Sequence, residues 1–233
     1  MTGAPAVGRL GIDHAEALAA LVASIDDLLG TAAAFGATDW SAATRCRGWT
    51  VADVHAHLDL GLQELLHGLL RPTDRPPTHD AAGYWRAFAA AGGGGDGNGA
   101  AHARFVRRLA DAYVDPAGLL AHLTATATAA RDGARRLPSG AVEMQGMVLA
   151  TGDLFTTWAV ELAVHRLDLT RELDLPAAPA AALGLARRTV EVLSGLDPSL
   201  LAPLDDATVV LVGAGRIDPT TVDAPAALAA VLG

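Results

Sequence analysis

Two short stretches hold residue types that could do chemistry together. The first is "TTWAVELAVHRLDLT", residues 156–170, where Glu161 and His165 interrupt an apolar pattern with helical spacing. On a helical wheel Leu154, Trp158, Glu161, His165 and Leu169 share one sector. Side chains four apart are neighbours on a helix, so the carboxylate and the imidazole stand side by side on the face that should be buried. An unpaired ionised carboxylate is costly in such a place; pairing, protonation or metal coordination relieves the cost. One reading is a plain Glu–His hydrogen bond inside a helical core. The other is half of a metal site, since two ligands one turn apart converge on a single ion and bundle interiors hold such sites. Asp168 is placed to orient the imidazole through its second nitrogen, or serves only as a solvated helix-end charge.

A metal needs a third ligand from elsewhere. The second stretch, "RCRGWTVADVHAHLDL" at residues 45–60, offers His55 and His57. His55 falls in the apolar stripe with Val51, Leu58 and Leu62, whereas His57 lies on its flank beside Val54 and Gly61. The pattern favours His55 and leaves the choice open. His14, His67, His79, His102 and His122 sit in segments with no second ligand-type pattern and read as surface or core residues. Two His and one carboxylate leave coordination positions open, which marks a catalytic rather than a structural zinc site. The same donor set accepts iron. An open divalent ion lowers the pKa of a bound water or thiol and so supplies a nucleophile at neutral pH.

Helices must position these residues. The spacing predicts helices over 12–35, 51–70, 101–114, 117–136, 151–173 and 178–194, with a short piece at 81–90. Thr50 followed by Asp53 resembles an N-cap pair that opens the second helix, and the prolines of "RPTDRPPTHD" end it. "GGGGDGNG" at 92–99 reads as a flexible linker, and "LPSGAVEM" as a connector. "ATVVLVGAG" near the end is β-branched and strand-like. The expectation is an all-α, up-and-down four-helix bundle with a short α/β-like appendage. The metal-binding bundle domain would span 1–204, and the appendage 205–233 is too small to fold alone.

The composition bounds the function. Of 233 residues 51% are hydrophobic, ample for a core. The net charge of −9 gives no basic surplus for phosphates, which argues against a nucleic-acid partner. Charged residues or Gly interrupt each apolar run below the length of a membrane span, and the start "MTGAPAVGRLGIDHAEAL" lacks a signal peptide's charged start and apolar centre. The single Cys46 excludes an internal disulfide framework. A cytoplasmic protein, monomeric or homodimeric, is expected. The absence of Lys, with abundant Ala, Gly and Pro, points to a GC-rich, actinobacterial genome.

The segment "DWSAATRCRGWTVADVHAHL" at 39–58 resembles the opening motif of the mycothiol-dependent maleylpyruvate isomerase family, part of the DinB-like superfamily. "VELAVHRLDLTRELDLP" at 160–176 is similar to its second signature, Glu-x-x-x-His followed by an Asp-Leu pair. The resemblance covers about residues 10–200. It implies a four-helix bundle that holds a divalent metal, typically zinc, through His57, Glu161 and His165, and so prefers His57 to His55. It also implies mycothiol as thiol cosubstrate and a small electrophile as substrate, the thiol either being transferred or adding and leaving to isomerise it. Two departures stand out: Leu167 occupies a position where members often have Trp, and the second domain is reduced to 205–233.

Other residues are weaker candidates. Cys46 is a potential reactive thiol but reads better as packed in the turn before the second helix. Trp40, Trp49 and Trp158 would line a pocket or simply fill the core, and Arg86, Arg104 and Arg107 are the candidates to meet an acidic substrate. The principal reading is a metal- and thiol-dependent transferase or isomerase. The alternatives are a non-catalytic metal- or small-ligand-binding bundle with a regulatory role, and a bundle whose polar trio is only a buried hydrogen-bond network.

Overall fold

The computed structural model describes residues 8–90 and 98–232. Eight helices occupy most of this chain: α1 (His14–Ala34), α2 (Val51–Leu69), α3 (Ala81–Ala90), α4 (Asn98–Ala112), α5 (Pro116–Arg136), α6 (Thr151–Asp168), α7 (Ala180–Ser194) and α8 (Asp206–Gly213). The fold is an all-α bundle with a short appendage. Helices α1, α2, α5 and α6 form the bundle, with α1 packed along both α6 and α5, and α2 along α5. Helix α4 lies on α2, α7 on α6 and α1, and α8 on α7.

Local chemistry sets the helix starts. Asp13 caps α1 by accepting from the backbone N–H of Ala15 at 2.8 Å. At α2 the expected pair is a full capping box: Thr50 accepts from Asp53 N at 3.3 Å, and Asp53 accepts from Thr50 N at 2.8 Å. At α5 Asp115 accepts from Ala117 N at 2.8 Å and Pro116 stands in the first turn. By length and mean hydropathy of 1.5, α1 alone among the described helices would suffice to cross a membrane, longer than the expected apolar runs; here Ala17, Ala20, Leu21 and Ile25 of this helix are fully buried.

Helix α6 is the axis of the molecule. Every one of its residues is buried except Glu161. Gly152 lets it begin against the chain before α1, because a Cβ there would stand 2.1 Å from the carbonyl oxygen of Ile12.

Three details differ from expectation. The stretch read as a connector carries a strand: β1 (Pro72–Thr73), β2 (Ala141–Met144) and β3 (Met147–Ala150) form an antiparallel sheet in that order. Gln145 and Gly146, at φ 49 and φ 79, make the left-handed turn that joins β2 to β3. Four-residue strands are too short to announce themselves by periodicity. The strand-like "ATVVLVGAG" is instead helix α8, capped by Asp205, with Val209, Val210, Leu211 and Val212 all buried. Burial on α7 overrides β-branched propensity; the approach is so close that a Cβ on Gly213 would meet Val190 Cγ1 at 2.6 Å. Finally, α6 stops at Asp168 and tightens into a 3-10 turn over Leu169–Arg171. Of the glycine run, residues 92–97 lie outside the described residues, and Gly99 already belongs to α4.

Candidate metal centre

Helices α2 and α6 bring together residues 104 positions apart. His57 Nε2 lies 2.9 Å from Glu161 Oε1. His165 Nε2 approaches the same oxygen at 3.3 Å. One ligand-type atom from each of His57, Glu161 and His165 lies within 4.8 Å of the other two. Their helices bring two ring nitrogens and one carboxylate oxygen close enough together that the three residues could hold a divalent cation.

The electrostatics fit that description. Burial alone would push the His165 imidazole down, but the Glu161 charge and hydrogen bonds to Asp168, Cys46 and Glu161 hold it well above its ordinary value. Burial would likewise raise Glu161, yet the imidazoles of His165 and His57 keep its carboxyl well below the usual range. An ionised carboxylate is therefore available beside two imidazoles, the donor set that suits zinc or iron with coordination positions left open.

His55 takes no part in this convergence. Its Nδ1–H donates to Val51 O at 2.7 Å, and its fully buried ring packs edge-on against Trp40 and Phe35, with centroids 5.0 and 5.6 Å away. Burial lowers its pKa to about 4, so it is neutral at physiological pH. The apolar stripe of α2 faces the core, whereas its flank, with His57, faces the cavity beside Glu161.

The α6 side is braced from several directions. Asp168 is fully buried and its Oδ2 accepts from His165 Nδ1 at 3.0 Å, which turns Nε2 toward Glu161. Cys46 Sγ donates to the same oxygen at 2.9 Å. Arg216 Nε donates to Asp168 Oδ1 at 2.9 Å and its Nη2 reaches Cys46 Sγ at 3.4 Å. Although burial would raise it, Asp168 is held below the usual carboxylate range by His165 and Arg216. Cys46, His165 and Asp168 are also close enough to chelate an ion, but the Arg216 guanidinium already supplies the positive charge there.

The α2 side is held more lightly. His57 Nδ1 meets His102 Nε2 of α4 at 3.2 Å, and Trp49 packs edge-on at 5.3 Å. Burial and the neighbouring His57 lower the pKa of His102. His102 reads from sequence as an ordinary surface or core residue, and Arg216 lies in the supposed addition. Neither carries a local signal, because each becomes relevant only through contacts across the fold.

Two cavities share His57 and Glu161. The larger, about 560 Å³, is walled by Tyr84, Trp85, Phe88 and Trp158, with Glu64 and Gln145 as polar members. The smaller, about 290 Å³, adds Cys46, Arg47, Arg216 and Leu232, so the appendage forms part of its wall. Trp49 lines the smaller cavity, while Trp40 packs on His55. Arg86, Arg104, Arg107 and Leu167 line neither; Arg86 donates to the carbonyls of Gly8 and Val192 instead.

Residues 21–170 match a family model described as the mycothiol maleylpyruvate isomerase N-terminal domain. The match contains His57, Glu161 and His165 and ends before Arg216. No curated protein and no solved structure matches the chain.

Proposed function

The chain belongs to the mycothiol maleylpyruvate isomerase N-terminal domain family, and on that premise we propose that it is a divalent-metal-dependent enzyme that uses a thiol, mycothiol, to transfer to or isomerise a small electrophile. The observation that carries this reading is the convergence of His57, Glu161 and His165 from two helices beside a cavity of about 560 Å³. These three residues would hold the ion, zinc being the expected one. When bound, the ion supplies Lewis acidity that lowers the pKa of a coordinated thiol.

The chain's own residues do the rest. Asp168 accepts from His165 Nδ1 and so fixes the ring's tautomer and direction. Glu161 accepts at one oxygen from both imidazoles, which keeps the three ligand atoms together. Tyr84, Trp85, Phe88 and Trp158 wall the larger cavity with apolar surface that keeps water from an electrophile. In this reading residues 1–204 are the metal-binding domain and 205–233 the appendage that braces it through Arg216, in a cytoplasmic protein whose partners are small molecules.

Metal analysis and thiol titration test it together. The purified protein should hold one divalent ion, and mycothiol should bind only to the metal-loaded form. Stoichiometric zinc in Glu161→Ala would sink the ligand assignment. Metal bound without any metal-dependent affinity for mycothiol would instead mark a binding module without turnover.

A further inference from the structure

The two cavities beside the centre differ in charge. The smaller has Arg47 and Arg216 in its wall beside Glu161, which lines both cavities. The larger has two carboxylates, Glu64 and Glu161, and no Arg or Lys among its described lining residues. Glu161 is engaged by His57 and His165, but Glu64 is not needed there. It stands two turns beyond His57 on α2, about 10 Å along the helix axis at 1.5 Å per residue.

Glu64 is held in place by an unusual neighbour. Gln145 Nε2 donates to Glu64 Oε2, while its Oε1 accepts the Tyr84 hydroxyl at 3.1 Å. The backbone at Gln145 is left-handed, at φ 49, in a turn position where Asn, Asp or Gly is usual. That conformation costs roughly 1 kcal/mol for a residue with a longer side chain, and here it lays the amide between Tyr84 and Glu64. Beside them Tyr84 and Phe88 stack with centroids 6.3 Å apart and planes 10° from parallel, and Trp85 meets both edge-on. Burial above all, and then the charges of Glu161 and Glu64, push the Tyr84 phenol upward.

A fixed carboxylate among aromatic faces is the recognition chemistry of a nitrogen cation, by ion pairing and cation–π attraction. We propose that the larger cavity seats the electrophile by an ammonium group, with Glu64 as the specificity-determining residue. The substrate is then an ammonium-bearing small molecule, whereas the maleylpyruvate of the family's description is a dicarboxylate. This rests on the reading of the site as a metal- and thiol-dependent centre.

The test compares two probes of similar shape and opposite charge, phenethylammonium and 3-phenylpropionate, on the zinc-loaded full chain, with tryptophan fluorescence as readout. The wild type should prefer phenethylammonium. Glu64→Gln, a change on an exposed helix face, should lower that preference about threefold, the size of one partly solvated charge pair. Any coordination of the carboxylate probe to zinc is common to both proteins and cancels in the comparison. Phe88→Leu should weaken phenethylammonium more than neutral 2-phenylethanol, a difference that loss of packing alone would not produce. Equal or tighter binding of 3-phenylpropionate by the metal-free wild type, where zinc coordination plays no part, or an unchanged ratio in Glu64→Gln, would overturn the proposal. If zinc-dependent mycothiol binding persists in those samples, only the charge selection falls. If mycothiol binding fails while the preference holds, the functional reading falls and the ammonium site stands.

Discussion

The two helices that meet at the candidate metal centre hold their side chains by different means. On α6, His165 is backed by Asp168, Cys46 and Arg216, contributed by three separate parts of the chain, and His165 and Asp168 are buried, while Glu161 is held by the two imidazoles. On α2, His57 is about a fifth exposed and, apart from Glu161 and His165, has His102 and Trp49 beside it among the described residues. The difference points to a division of labour should a metal bind: His165 of α6 would supply a pre-oriented donor and His57 of α2 a lightly held one. A ligand with a rigid surround contributes pre-formed geometry, while a lightly held one must be ordered by the metal itself.

The largest effects should come from the rigid side. Glu161→Ala or His165→Ala removes a donor from the fixed pair, and each variant should purify without stoichiometric metal by elemental analysis. His57→Ala should weaken the metal too, but leave the α6 pair able to hold a residual, weakly bound ion. Equal loss in all three variants would break the distinction between the two sides.

The supporting residues sharpen it. Asp168→Asn should cost about 10–100-fold in metal affinity, the usual effect of removing the carboxylate behind a ligating imidazole, whereas His102→Ala should cost less than about threefold by the same titration. Arg216→Met leaves the buried Asp168 carboxylate short of a cation and should lower unfolding stability by about 2 kcal/mol in urea titrations. A neutral result for Arg216→Met would mean that the appendage does not brace the centre.

Two smaller effects depend on pH. In the metal-free protein His165 holds its proton above the ordinary 6.5, so its pairing adds stability that is complete below 6.5 and is lost as pH rises through the elevated value. A metal held by His165 would have to displace that proton. Apparent metal affinity should therefore climb with pH above 6.5, by at most about tenfold per unit for one released proton, until His165 is deprotonated without help. His55 behaves oppositely. Its pKa falls from 6.5 to about 4, so it contributes stability present above 6.5 and lost as pH falls toward 4. His55→Leu should remove up to about 3 kcal/mol of acid sensitivity over that window, with metal content unchanged.

Much of the framework was legible in the chain. The capping pair at Thr50 and Asp53, the prolines after α2 and the apolar periodicity located the bundle helices within a few residues, because those signals act locally. The Glu161–His165 pair was visible because spacing along one helix suffices to place two side chains together. The choice between His55 and His57 was not settled by the wheel, which finds the apolar stripe but not which flank borders a cavity. The helix α8 was hidden because Val209–Val212 has strand-like side chains whose conformation is decided by α7.

By itself, then, the sequence determined the bundle helices, two of the three proposed ligands and, through family resemblance, the third. Only the tertiary structure decided that His57 faces Glu161, that Arg216 reaches Asp168 from the appendage, and that Glu64 and Gln145 share a wall with aromatic rings. The physical reason is range. Capping and i, i+4 spacing act within a turn or two of helix, whereas a cavity's shape and charge are set by side chains that share no stretch of sequence and meet only when the bundle closes.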